Sequence, residues 1–109
     1  MKDLQKKHYV YFLRSTCSEG RIKIGCSYKP VNRLLALSVW AQYPCEIMAV
    51  APGGFDVERA LHSYFAADRL HREWFRSSPE LLFVIDQMAK GKTLADAVWE
   101  YGRSRARAA

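Results

Sequence analysis

The stretch HYVYFLRSTCSEGRIKIGCS, His8 to Ser27, decides how the rest of the chain is read. Its first part, YVYFL, alternates Tyr9, Tyr11 and Leu13 with Val10 and Phe12. That pattern fits a strand with one face buried and the other presenting aromatics. Its last part, RIKIGCS, sets Ile22 and Ile24 against Arg21 and Lys23 and stops at Gly25. The intervening STCSEG is rich in turn-formers, and its Gly20 can take a positive φ. A hairpin follows, with Tyr11 and Lys23 beside each other on one face. Taken alone, that face is ordinary. Strand tyrosines are usually half-buried with the hydroxyl bonded at the edge, and strand lysines are usually solvated.

Outward from the hairpin, Met1 to Lys7 is a polar, basic lead-in. In SYKPVNRLLAL, Pro30 suits the first turn of a short helix. Val31, Leu34, Leu35 and Ser38 form its stripe, and Arg33 falls off it. Cys45 to Ala51 reads as a third strand, and Pro52, Gly53 and Gly54 as a sharp loop. FDVERALHSYF is the clearest helix, with Asp56 as its expected cap. Val57, Ala60, Leu61, Tyr64 and Phe65 make its buried stripe, flanked by Glu58 and His62 one turn apart. AADRLHREWFRSS is irregular, a brief strand or loop anchored in the core by Trp74 and Phe75.

Ser78 and Pro79 then start a helix with Leu81, Leu82, Ile85, Met88 and Ala89 inward, ended by Gly91. Thr93 caps a last helix whose apolar side is Leu94, Ala97, Val98 and Tyr101. Its end carries Arg103, Arg105 and Arg107, more often a solvated helix end than a specific site. The order β-β-α-β-α plus two helices lacks the regular βα alternation of parallel folds. The expected class is therefore α+β, a small sheet, mainly antiparallel, with helices packed around it.

The 109 residues suffice for one domain and one core. With 17 Lys plus Arg against 11 Asp plus Glu, the net charge is +6, which suits an anionic partner such as nucleic acid. The charged start MKDLQKKH does not read as a signal peptide. No apolar run reaches the roughly eighteen residues of a membrane span. Cys17, Cys26 and Cys45 are odd in number and lack metal-ligand spacing, so reduced thiols of a cytoplasmic protein are expected. A phosphodiester hydrolase needs a water-activating group, cations for the phosphate and usually a carboxylate for a divalent metal. Tyr11 or Lys23, Arg33 and Glu58 match those needs, and a single carboxylate suits magnesium or manganese with water in the other positions.

In order and spacing, YVY, then KIGCS, Arg33, ERALHSYF and EWF resemble the GIY-YIG nuclease superfamily. The resemblance covers about Tyr9 to Phe75. It is nearest to a branch with Lys-Ile-Gly in place of Tyr-Ile-Gly, found in phage reading frames and meiotically up-regulated fungal genes. It implies a three-stranded antiparallel sheet with flanking helices, here extended by two C-terminal helices over about Ser78 to Arg107. It also implies metal-dependent hydrolysis of DNA. By resemblance, Tyr11 is the general base or water-positioning group and Arg33 contacts the scissile phosphate. Glu58 binds the metal, and His62 belongs to the branch's Glu-x-x-x-His pattern. Lys23 stands where the second motif has its tyrosine, and Tyr9 replaces the first glycine. The Asn late in many members has no clear counterpart; Glu73 sits roughly there.

The leading expectation is a magnesium- or manganese-dependent DNA endonuclease, nucleoid-associated through its DNA. Lys23, Arg33, Arg103, Arg105 and Arg107 would contact the nucleic acid, with Lys23 and His62 joining Tyr11 and Arg33 in catalysis. Two rivals keep the same fold. One is a weakly active or inactive nucleic-acid-binding module, suggested by Lys23 at the tyrosine position. The other is a protein-binding regulatory or inhibitory factor.

Overall fold

The computed structural model describes residues 7–15, 20–29, 32 and 45–108. Its centre is β1 (Tyr9–Ser15), held between β2 (Arg21–Ser27) and β3 (Cys45–Pro52). The expected helix around Pro30 to Ser38, with Arg33, lies outside the described residues. Beyond β2 come two strands of three residues each, β4 (Arg69–His71) and β5 (Trp74–Arg76). The sheet order is β3-β1-β2-β5-β4, and every pairing is antiparallel.

The α+β class holds, but the three-stranded sheet was an undercount, since the described sheet has five strands. Two three-residue strands are too short to show a period. Their turn contains Arg72 at φ 52, a non-glycine residue in left-handed backbone. Phe75 opposite Ile22 carries β5 into the core.

The pairing sorts the side chains of β2 onto two faces. Val10, Phe12, Ile22, Ile24 and Phe75 share a core with α1 (Phe55–Tyr64) and α2 (Pro79–Ala89). Tyr11 with Gly25, Leu13 with Lys23, and Lys23 with Trp74 lie on the opposite face. Tyr11 and Leu13 are as fully buried as Val10 and Phe12, so β1 presents no exposed aromatic face. Its uninterrupted apolar run from Val10 to Leu13 is the pattern of a strand covered on both sides.

On α1, Leu61 and Phe65 are buried and Val57 half-buried, while Ala60 and Tyr64 are exposed. The buried stripe is thus narrower than the spacing suggested. The Tyr64 hydroxyl donates to the Glu80 carboxylate at the start of α2, and that bond pushes the phenol up to about 12. Asp56 is not the cap. The helix begins earlier, at Phe55, with Gly54 in the cap position and no side-chain cap bond. Asp56 and Glu58 sit instead in the first turn, where carboxylates complement the helix dipole.

The next two helices start as their sequences indicate. Ser78 Oγ accepts from Leu81 N at 3.2 Å with Pro79 behind it. Thr93 Oγ1 accepts from Asp96 N at 3.1 Å before α3 (Leu94–Ala108). α3 completes the core through Ala97. Ser78→Ala should cost about 1 kcal/mol of folding stability in urea unfolding. No helix among the described residues is long and apolar enough to cross a membrane.

Candidate functional site

β5 runs beside β2 only as far as Lys23. At the step where it stops, the peptide groups of Ile24 face other partners. Ile24 N donates to the Glu73 carbonyl at 3.0 Å. Ile24 O lies 3.0 Å from His62 Nε2. A carbonyl only accepts, so Nε2 carries the hydrogen. The His62 ring also packs against Phe75, centroids 5.0 Å apart. One residue of the motif strand thus ties together β2, the β4–β5 turn and α1.

Lys23 lies beside this junction, only 8% exposed. A lysine so buried needs a partner. Its Nζ lies 2.5 Å from Glu73 Oε1, while the Glu73 side chain keeps 42% of its surface in solvent.

Glu58 sits one turn before His62 on α1 and is half-buried. Burial pushes its carboxyl above the ordinary range and the nearby Glu73 charge adds to this; His62, Lys23 and Arg59 pull the other way. Cys26 is drawn into the same field. Its Sγ lies 3.8 Å from the Gly53 carbonyl; burial, then Glu58 and Asp56, push the thiol up. Both influences disfavour the thiolate form of Cys26.

Tyr11 approaches from the Lys23 face. It is 2% exposed, and its ring tip lies across Gly25. A Cβ at Gly25 would stand 2.3 Å from both Cζ and Oη of Tyr11. Only glycine leaves room there, which gives the glycine of KIG a packing reason.

The structure therefore brings His62 to Ile24, beside Lys23 and its partner Glu73, with Glu58 one turn before His62 on α1 and Tyr11 opposite Gly25, two residues along β2 from Lys23. Arg33 lies outside the described residues. Arg103 and Arg105 are on α3, a different element. Their guanidinium groups lie over Trp99 at 4.8 Å and Tyr101 at 5.8 Å. Arg107 is in the last turn of the same helix. Glu73 is the residue that motif reading undervalued. Its signal was the EWF segment, and its role as partner of Lys23 appears only when the turn folds onto β2.

Glu58 is the carboxylate of the candidate residues that could hold a hard divalent cation. A half-exposed carboxylate beside a second negative charge is relieved by a cation. Among the described residues no three His, Cys, Asp or Glu side chains form a metal cluster. Glu58 would thus supply one ligand and water the others, as magnesium and manganese accept.

The T5orf172 domain matches residues 8–90, and the chain belongs to that family. The domain occurs in phage reading frames and is associated with nuclease-type proteins, which is compatible with a nuclease-like or nucleic-acid-binding role. No curated protein and no solved structure matches the chain.

Proposed function

We propose that this protein is a metal-dependent endonuclease that hydrolyses DNA phosphodiester bonds. The observation that carries this reading is the meeting of Lys23, Glu73 and His62 around Ile24, with Glu58 one turn before His62 and Tyr11 against Gly25. Glu58 holds magnesium or manganese, which supplies charge neutralisation at the phosphate when bound. Lys23 presents a fixed ammonium toward the phosphate. Arg33 contacts the scissile phosphate, as in the superfamily the sequence resembles. The Tyr11 hydroxyl orients the attacking water. His62 holds α1, and with it Glu58, against the motif strand through its Nε2–H. The net charge of +6, with Arg103, Arg105 and Arg107, draws the DNA backbone in.

The test is nicking of supercoiled plasmid with magnesium or manganese by the wild type and by Glu58→Ala, Arg33→Ala and Lys23→Met. Loss of cleavage in the variants with unchanged melting supports the reading. Equal cutting by all four preparations points to a contaminant and removes it. One observation favours a second reading: the Lys23 ammonium is already paired with Glu73. That pair suits a module that grips DNA without cutting it. Steeply salt-dependent binding without cleavage under any divalent metal would select it.

A further inference from the structure

We propose that Arg21 and Arg76 form a clamp for one backbone phosphate of DNA, on the sheet face that carries Tyr11 and Lys23. The inference deepens the DNA-binding part of the proposed function and rests on it for the identity of the anion. Three observations carry it. First, the two arginines stand directly opposite each other in the β2–β5 ladder, so their side chains leave the sheet on one face. Ser77 N donates to the Gly20 carbonyl at 2.8 Å on one side of the pair, and Ile24 N to the Glu73 carbonyl at 3.0 Å on the other. Antiparallel pairs alternate between hydrogen-bonded and non-hydrogen-bonded kinds. Gly20–Ser77 and Ile24–Glu73 are of the first kind, so Arg21–Arg76 is of the second, in which opposite side chains stand closest.

Second, both arginines are exposed, and no carboxylate among the described residues pairs with either. Arg14, Lys23 and Lys90 by contrast each meet one, at Glu46, Glu73 and Asp86. Like charges directly opposite on a sheet are destabilising. An external anion between the two guanidinium groups relieves that repulsion. Third, the register sets Arg21 two residues from Lys23 on the same strand face, about 7 Å along β2. The guanidinium fork matches phosphate oxygens in pairs, where an ammonium offers a point charge. A phosphate between Arg21 and Arg76 is thus the neighbour of one at Lys23, and the DNA backbone runs along β2.

The experiment uses the whole chain and a fluorescein-labelled DNA duplex. Binding is followed by anisotropy across a salt series in chelator, where metal-dependent cleavage is silent. Arg21→Gln and Arg76→Gln should each weaken binding about 10-fold, the loss of a charge-assisted hydrogen bond. Lys92→Gln removes one positive charge from the exposed connection between α2 and α3 and should bind like the wild type. The double variant Arg21→Gln/Arg76→Gln should lower the slope of log Kd against log salt by about 0.9, the value for one phosphate. Both single variants should melt at or above the wild type, because each relieves the repulsion.

A slope lowered by about 1.8 would mean two separate phosphates and would overturn the shared clamp. An unchanged slope, or losses no larger than that of Lys92→Gln, would overturn the contact itself. Arginines whose removal lowers the melting temperature would be supports of the sheet, which would also overturn the proposal. A wild type that shows the expected binding pattern and never cuts DNA would defeat the cleavage reading and leave the clamp standing. A wild type that binds no DNA at low salt would defeat both.

Discussion

Glu58→Gln is expected to lower DNA cleavage steeply and, in the same protein, to raise the melting temperature at neutral pH. The two effects have one origin. Burial and the Glu73 charge hold the Glu58 carboxyl above its ordinary range. The ionised form is therefore less favourable in the fold than in the unfolded chain. For a raised carboxyl, the native state binds the extra proton, and stability falls as pH rises from the unfolded value toward and through the folded one. Glutamine resembles the protonated acid and escapes that loss.

The variant should melt above the wild type at about pH 7.5 in chelator, and the gap should close below the ordinary carboxylate value of about 4.3. Chelator matters because a bound cation would stabilise the wild type by mass action. Cleavage should fall by about 10²- to 10³-fold, the usual effect of removing one preorganised electrostatic group. A Glu58→Gln protein that melts below the wild type at neutral pH would contradict the crowded-carboxylate account. One that cuts at the wild-type rate would remove Glu58 from the chemistry.

The parts of this molecule that sequence discloses are those written in local spacing. The β1–β2 hairpin, β3, the Ser78 and Thr93 caps and the turn of helix linking Glu58 to His62 all depend on neighbours within a few residues. What stayed hidden depends on tertiary contact. β4 and β5 are strands because Phe75 finds Ile22, and three-residue segments carry no period of their own. Asp56 has a cap's chemistry, yet Gly54 and Phe55 start the helix before it. The Lys23–Glu73 pair joins residues 50 positions apart. His62 could be placed beside Glu58 by spacing, but its bond to the Ile24 carbonyl could not. The candidate residues can be named by motif, while the contacts of Lys23 and His62 appear only in the fold.

Gly25→Ala should be the most damaging single methyl group that the motif can receive. The added Cβ would stand 2.3 Å from Cζ and Oη of Tyr11 and 2.8 Å from Cε1. Real carbon contacts do not close to that distance, so one partner must move. Gly25 is fixed opposite Tyr11 in the β1–β2 ladder, and Tyr11 is 2% exposed in a strand whose residues from Val10 to Leu13 are all buried. Overpacking of this kind costs about 1–3 kcal/mol, here at the upper end. In a domain of this size that lowers the melting temperature by on the order of 10–20 °C.

Two second-site variants identify the clash as the cause. Tyr11→Phe removes Oη but leaves Cζ in place, so Gly25→Ala/Tyr11→Phe should remain strained. Tyr11→Leu removes the ring tip, so Gly25→Ala/Tyr11→Leu should melt above Gly25→Ala alone. A Gly25→Ala protein melting with the wild type would refute the close packing of ring and backbone. Tyr11→Phe in the native background adds the functional half: it keeps the ring, should melt near the wild type and should lose cleavage if the hydroxyl orients water. The glycine therefore holds that hydroxyl on the strand that carries Lys23, and packing at Gly25 and chemistry at Tyr11 are two measurements of one contact.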